Sequence, residues 1–477
     1  MVVARVEQGQ LVIVDRLREM GRLAAGLDEQ NYLSEEASTR ALECLARFGQ
    51  RLEHIPPENI RAVGTNTLRR AKNSAQFMHR AEAALGQTIG IISGYEEARL
   101  VYLGVAHSLA ENDRRRLVMD IGGGSTEIII GERFEPLYME SLFLGCVSMT
   151  QACFHTGMIH GKAFKQAETL VMMELAPSVA RYRGLGWSEA IGSSGTIRTI
   201  YKVLSENGWL DNGITLAGLQ KIKKAIVKAG DVSTLLTTGL SERRAPVFAG
   251  GLAILIAAFK LLGIEEMQVS PGAVREGLLY ELLGRTHHHD VRHATIEQLI
   301  ERFGLEREHL QRVTNTALSL LGQVQNKWNS DEESSMLLGW AAALHEIGLS
   351  ISHDQYQKHG AYILENIDLA GFSRHEQQAL ALLIRNHRRS LSLEQFDPFP
   401  KEQQKLLLRL AILLRLAVLL HRSRSPEPLP DIRLKISGKT ITLGFPNQWL
   451  ESHPLSEADL QHEAGVLGKL GLKLLFS

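Results

Sequence analysis

Cysteine is scarce in this sequence and carries no pattern: Cys44, Cys146 and Cys153 are an odd, scattered set. That excludes a disulfide framework and a cysteine-based metal knot, and it fits a reducing cytosol. No basic stretch followed by an apolar one opens the chain, so no secretory leader is read there. No apolar run approaches the length expected of a membrane span, so no transmembrane segment is expected. Net charge is absent too, with 53 Lys and Arg against 53 Asp and Glu. A nucleic-acid-coating surface is therefore not expected, although basic side chains gathered along one groove can still take a polyanion. Internal repeats and low-complexity tracts are also missing.

What is present is a soluble globular composition, 44% apolar and 22% charged. At 477 residues the chain exceeds what one core organises, and two to four domains are expected. Its central stretch runs from 117 to 131: Leu117-Val-Met-Asp120, then Ile-Gly122-Gly123-Gly124-Ser125-Thr126-Glu127, then Ile-Ile-Ile-Gly131. Two apolar runs around three glycines read as strand, tight loop, strand. The glycines are expected to take positive φ and to leave successive N–H groups uncovered as a nest for an anion. Asp120 and Glu127 at its rim are placed to hold a hard divalent cation such as Mg²⁺ against that anion. An ordinary glycine-rich hairpin is the alternative, and the flanking Asp, Ser-Thr and Glu count against it.

The chain opens on a hairpin, residues 1–6 and 11–14, and Ser34 with Glu35 and Glu36 then starts a helix that Pro56-Pro57 ends. A strand over 60–64 delivers Thr65-Asn-Thr-Leu-Arg69-Arg70 at its C-terminal end, where α/β sheets bind ligands. Either arginine can grip phosphate in a fork or stand solvated. A further strand, 88–93, leads into Glu96 and Glu97, which are either helix-dipole partners or, for one of them, a general base. Gly192-Ser193-Ser194-Gly195-Thr196 feeds a helix N-terminus and reads as a second anion loop. The apolar helix over 245–262 reads as core. After it, Gly272-Ala-Val-Arg275-Glu276-Gly277 makes one more strand-loop-helix junction, whose charged pair faces the cleft or pairs with itself.

Near residue 285 the rhythm turns helical. His287-His-His289 reads as a solvated polar linker more readily than a metal site. Leu344-His345-Glu346, His353-Asp354 and Asn386-His387-Arg388-Arg389 invite comparison with metal phosphohydrolases. Glu346 stands where such a site would have aspartate, so a structural or ligand-guiding role is expected there. Alternation at 432–436 and 441–445 around Ser437-Gly438-Lys439 predicts a terminal β-hairpin.

Taken together, five motifs resemble the exopolyphosphatase / guanosine pentaphosphate phosphohydrolase (Ppx/GppA) family over essentially the whole chain: residues 64–69, 92–100, 120–127, 192–196 and 272–277. The resemblance implies two actin-like (ribonuclease H-like) α/β subdomains of the ATPase type, at 1–100 and 101–284. It further implies an all-α HD-like domain at 285–425, a small α+β C-terminal domain at 426–477, and a homodimer. Carried over, Glu97 is the base that activates water and Arg69 clamps the terminal phosphoryl group. Asp120 and Glu127 hold Mg²⁺, and Gly122, Gly123, Gly124, Ser125 and Thr126 with Ser194, Gly195 and Thr196 cradle phosphate.

The resemblance also implies a strand and an Asp-x-Gly-Ser-Asn-Ser loop before the opening hairpin, which this sequence lacks. The expectation is a weakly active or unstable polypeptide whose N-terminally extended form works. Inorganic polyphosphate ranks first as substrate, with Arg275 and His387-Arg388-Arg389 guiding the polyanion. Guanosine pentaphosphate (pppGpp) is the alternative, and a non-catalytic phosphate or nucleotide sensor the remote one. A cytoplasmic protein is expected, with peripheral contact to the inner membrane left open.

Overall fold

Val2 to Val6 and Leu11 to Val14 build the opening hairpin, β1 (Val2–Glu7) against β2 (Gln10–Arg16), antiparallel with a register shift between Val3 and Ala4. The structure is a computed structural model that describes the chain except residues 8, 9, 18, 20–22, 29, 110–113, 156, 237, 287–289, 329 and 447. The chain divides into two units, Met1–Val291 and Arg292–Ser477.

In the first unit, α1 (Glu35–Leu52) starts where expected, with the Ser34 hydroxyl accepting from the Ala37 N–H at 3.3 Å. The next strands are brief: β3 (Val63–Gly64), then α2 (Asn66–Arg70), α3 (Ser74–Leu85) and β4 (Gly90–Ile91), which pairs parallel to β3. Next come α4 (Gly94–Ala106) and β5 (Arg115–Ile121), β6 (Thr126–Glu132) and β7 (Glu135–Leu142). Helices α5 (Cys146–Cys153) and α6 (Gly161–Leu185), β8 (Glu189–Ser193), α7 (Ser194–Glu206), β9 (Ile214–Thr215) and α8 (Leu216–Ala229) continue the chain. The unit closes with α9 (Ala245–Leu262), β10 (Glu266–Val269) and α10 (Val274–Thr286).

The main sheet runs β7-β6-β5-β8-β10-β9, with β5, β8 and β10 parallel and the others antiparallel. Its central strands read as continuous apolar runs because both faces are covered. Val118, Ile129 and Ile191 pack under Ala98, Val101, Tyr102 and Val105 of α4. Leu117, Met119, Ile128 and Ile130 belong to the opposite core, with α6, α7 and α9. Helix α9 is in fact 18 residues long with a mean hydropathy of 2.0, enough by length and composition to cross a membrane, contrary to the expectation that no run comes near that length. It is the buried core helix that its position predicted, with Leu252 to Ala258 almost wholly covered.

The second unit carries α11 (Val291–Arg302), α12 (Arg307–Trp328), α13 (Glu332–Leu344), α14 (Tyr356–Asn366), α15 (Arg374–Asn386) and α16 (Lys401–Leu420). The expected hairpin is there, β11 (Arg433–Ser437) with β12 (Thr440–Gly444), turning at Gly438 with φ +54°. After α17 (Trp449–Ser452) and α18 (Pro454–Gly468), β13 (Lys473–Phe476) adds parallel to β12. Leu434, Leu443, Leu460 and Leu474 enter the same core as the helices rather than forming one of their own. His287 to His289 lie outside the described residues.

Candidate active site

Strand register assembles the centre of the site. Glu127 of β6 pairs directly with Asp120 of β5, Asp120 with Ser193 of β8, and Glu127 with Ser141 of β7. A row Ser141, Glu127, Asp120, Ser193 thus crosses four strands. Asp120 is 8% exposed and Glu127 1%, and neither has a salt bridge among the described residues. Burial pushes the Asp120 carboxyl up to about 7, helped by the charge of Glu97, against a hydrogen bond from Ser193. Burial, then Glu97 and Asp120, raise Glu127 well above the usual carboxylate range, opposed by hydrogen bonds from Ser141, at 2.8 Å, and Ser125.

Glu97 is the third member. It lies in the first turn of α4, whose N-cap Ser93 accepts from the Glu96 N–H at 3.0 Å. The two glutamates separate cleanly. Glu96 is locked at 2.8 and 2.7 Å to Arg99, whose guanidinium also meets Glu281, so its role is structural. Glu97 turns to the carboxylate pair and accepts from Arg69 Nη1 at 2.9 Å. That same nitrogen donates to the Ile92 carbonyl at 2.8 Å, which fixes Arg69 against the end of β4. Burial raises the Glu97 pKa, while Arg69 and a hydrogen bond from Thr65 pull it back.

The glycine loop differs from expectation in one respect. None of Gly122, Gly123 or Gly124 has positive φ. Glycine is required there for clearance: a side chain on Gly124 would meet Asn66 Oδ1 at 2.5 Å, and one on Gly122 would meet the Ser125 carbonyl at 3.1 Å. The loop is tied down by Gly122 N–H to Ser125 O at 2.9 Å and by Cys146 and Val147 N–H groups donating to Gly122 and Gly123 carbonyls, both at 2.9 Å. The N–H groups of Gly123, Gly124 and Ser125 meet no backbone acceptor among the described residues. The Thr126 hydroxyl, expected as a phosphate ligand, donates to the Leu144 carbonyl at 2.5 Å.

In the second loop the left-handed residue is Ser194, at φ +77°, not a glycine. Such strain in a non-glycine residue persists only where the surroundings hold it, commonly at functional sites. The Ser194 hydroxyl accepts from the Thr196 N–H at 3.2 Å, and Gly195 lies beneath the Arg244 guanidinium, which any side chain there would overlap.

Arg275 is not part of this cluster. It lines an apolar groove of about 680 Å³ with Met1, Val3, Leu45, Leu278 and Leu282, and Glu276 turns back to its own Ala273 N–H at 3.0 Å and to Arg16 at 3.4 Å. In the helical unit the basic trio carries charge on its two arginines only. His387 is 1% exposed, and burial holds its pKa well below the ordinary value, so it carries no charge to guide an anion. Arg388 stacks on Tyr356 at 4.4 Å, and only Arg389 is exposed.

Three site members are not evident from the sequence: Asn66, Ser141 and Arg244. Asn66 Nδ2 is buried without a hydrogen-bond partner beside the glycine loop, and its place in the 64–69 motif is the available signal. Ser141 has no local signal, since it arrives through strand register.

Comparison with known proteins is specific. A model of the Ppx/GppA phosphatase family matches residues 2–286, and one of Ppx/GppA phosphatase domain III matches residues 291–464. A guanosine-5'-triphosphate,3'-diphosphate pyrophosphatase of Vibrio vulnificus is 40% identical over 477 residues, covering 100% of this chain and 95% of that protein. The protein of the same name from Photobacterium profundum is 38% identical over 476 residues, with the same coverage. Among solved structures, the Aquifex aeolicus Ppx/GppA family member aligns with TM-score 0.51 and 25% identity, over 60% of this chain and 94% of that one. An exopolyphosphatase of Cytophaga hutchinsonii aligns with TM-score 0.53 over the same shares, and at 23% identity it speaks to the fold alone.

Proposed function

The chain belongs to the Ppx/GppA phosphatase family of phosphoanhydride hydrolases, with its actin-like α/β fold followed by a helical domain, and from that premise we propose that it removes the terminal 5'-phosphoryl group of guanosine pentaphosphate. The observation that carries the chemistry is the convergence of Glu97 on the buried Asp120–Glu127 pair, next in sequence to a loop whose Gly123 to Ser125 N–H groups meet no backbone acceptor among the described residues. The sequence alone ranks polyphosphate first. Full-length identity of 40% to a relative named for the guanosine nucleotide favours the other order, and the burial of His387 weakens one of the two arguments for a polyanion track.

Asp120 and Glu127 fit a hard divalent cation, Mg²⁺ by donor chemistry: they are two buried, mutually repelling carboxylates with no salt bridge among the described residues. When bound there, the ion would supply positive charge to the phosphoryl oxygens. Ser141 holds Glu127 in place by a hydrogen bond of 2.8 Å, and Ser193, whose hydroxyl donates to the Gly272 carbonyl at 2.8 Å, stands opposite Asp120 on the next strand. Glu97 takes the proton from the attacking water, since a carboxylate whose pKa is raised by burial is the better base. Arg69 orients Glu97. The Gly123 to Ser125 N–H groups and the start of α7 receive the phosphate chain, where fixed donors need no reorganisation as charge shifts.

The test is phosphate release with Mg²⁺ from guanosine pentaphosphate and long-chain polyphosphate side by side, for the wild type and Glu97→Gln. Faster turnover of the nucleotide and loss of about 10²–10⁴-fold in kcat for the variant are expected. Preference for polyphosphate would restore the other order. Unchanged turnover in the variant would remove Glu97 as base.

A further inference from the structure

A second constellation lies in the helical unit. His309 of α12 and His345 and Glu346 at the end of α13 bring three ligand atoms within 4.8 Å of one another, all buried. The His309–His345 ring centroids are 5.7 Å apart, and His309 Nε2 is 3.8 Å from Glu346 Oε1. His345 Nδ1 bonds the Ala342 carbonyl at 2.7 Å, which leaves the Nε2 lone pair turned away from its own helix. His387 repeats the device, with Nδ1 on the Ile384 carbonyl at 2.5 Å and its ring edge-on to His345 at 5.5 Å.

Two nitrogens of this group are orphaned. His387 Nε2 and His309 Nδ1 are buried without a hydrogen-bond partner, in residues 1% and 3% exposed. Buried polar atoms are almost always satisfied, and a core of this kind gains nothing from empty imidazole nitrogens. A backbone carbonyl fixing one ring nitrogen while the other faces a shared centre is the usual outer support of a metal-binding histidine.

We propose that His309, His345 and Glu346 form a site for a divalent transition metal of the Zn²⁺ class, with His387 beside it as a supporting imidazole. Two imidazoles and a carboxylate select that class over Mg²⁺ or Ca²⁺, which take oxygen.

Arg424 is the competitor. Its guanidinium bridges Glu346 and Glu306, and its side chain is 41% exposed. The site therefore has a resident cation that a metal displaces from Glu346 toward Glu306 and solvent. That ion pair accounts for Glu346 but not for the two buried imidazoles gathered beside it.

The experiment uses the full chain carrying Asp120→Asn, which removes cation binding at the carboxylate pair, stripped with chelator and titrated with Zn²⁺ by calorimetry and with Co²⁺ by visible absorption. One equivalent is expected, with a nitrogen-ligated Co²⁺ spectrum. His345→Gln and Glu346→Gln weaken binding about 10–100-fold, and Arg424→Ala strengthens it. Circular dichroism identifies a variant that has not folded, and Arg424→Ala, at a half-exposed side chain, keeps the test valid if the core variants fail. Affinity unmoved by His345→Gln, or no binding by either the parent or Arg424→Ala, overturns the proposal.

Discussion

Asp120 and Glu127 stand directly opposite each other on β5 and β6, both buried and both with carboxyl groups held above their ordinary range. Like charges placed directly across two strands destabilise a sheet. The fold carries this unfavourable pair at the end of its central strands, beside the loop whose Gly123 to Ser125 N–H groups meet no backbone acceptor among the described residues. A carboxyl group that holds its proton more tightly folded than unfolded stabilises the fold most at low pH. For Asp120 that contribution is complete below 3.8 and is lost as pH rises to about 7.

Chelator-treated protein should therefore lose stability between pH 4 and 7 through this group, and Asp120→Asn should flatten that part of the profile. The variant should be more stable than wild type at pH 8 by roughly 2–4 kcal/mol while losing phosphate release. Urea unfolding at pH 5 and pH 8 with chelator checks it. An equal fall in stability for both proteins would assign the pH dependence elsewhere.

Arg69 donates to Glu97 at 2.9 Å and lowers a pKa that burial raises. Removing the guanidinium lets burial act unopposed, so the Glu97 pKa climbs further. Because the base works ionised, Arg69→Ala should move the acidic limb of kcat/KM to higher pH. A depressed rate with an unmoved limb would mean that Arg69 acts on the substrate alone.

Much of the fold is legible in the sequence because its signals are local. The 117–131 strands, the α9 core helix and the β11–β12 hairpin follow from apolar runs, length and alternation, which neighbouring residues determine. The reasons for individual residues are less legible. Three glycines suggest left-handed backbone, yet two of them, Gly124 and Gly122, serve space beside Asn66 and Ser125, while the left-handed φ falls to Ser194. A sequence does not say whether a glycine serves conformation or clearance. His387-Arg388-Arg389 looks basic in one dimension, but the helix end buries the first of them. Ser141 and His309 reach their partners through strand register and helix packing, which no local pattern encodes.

Gly94 sits where α4 begins, and a methyl group there would lie 2.7 Å from Ser141 Cβ and 2.8 Å from Ser141 Oγ. Gly94→Ala should therefore push Ser141 off Glu127, destabilise by about 1–3 kcal/mol and depress activity. Ser141→Gly removes both clashing atoms. The double variant should regain the melting temperature of Ser141→Gly alone, without recovering the hydrogen bond to Glu127. No recovery would place the strain of Gly94→Ala elsewhere than Ser141.

In the helical unit Arg415 of α16 binds Glu463 of α18 at 2.6 and 2.8 Å, and its guanidinium also donates at 2.7 Å to the Asn386 and Arg389 carbonyls. Both side chains are almost fully buried, at 2% and 6% exposure. Breaking such a pair from one side leaves an uncompensated buried charge, so Glu463→Ala should destabilise the unit by about 3–5 kcal/mol. Replacing both with apolar residues, Arg415→Met with Glu463→Leu, removes the charges together and should restore part of that loss. The restoration stays incomplete because the Asn386 and Arg389 carbonyls at the end of α15 lose their donor. Denaturant unfolding of the two single variants and the double one measures the coupling. A strictly additive result would mean that Arg415 serves those carbonyls rather than Glu463, and that α18 is held by its apolar contacts through Leu460 and Leu467 alone.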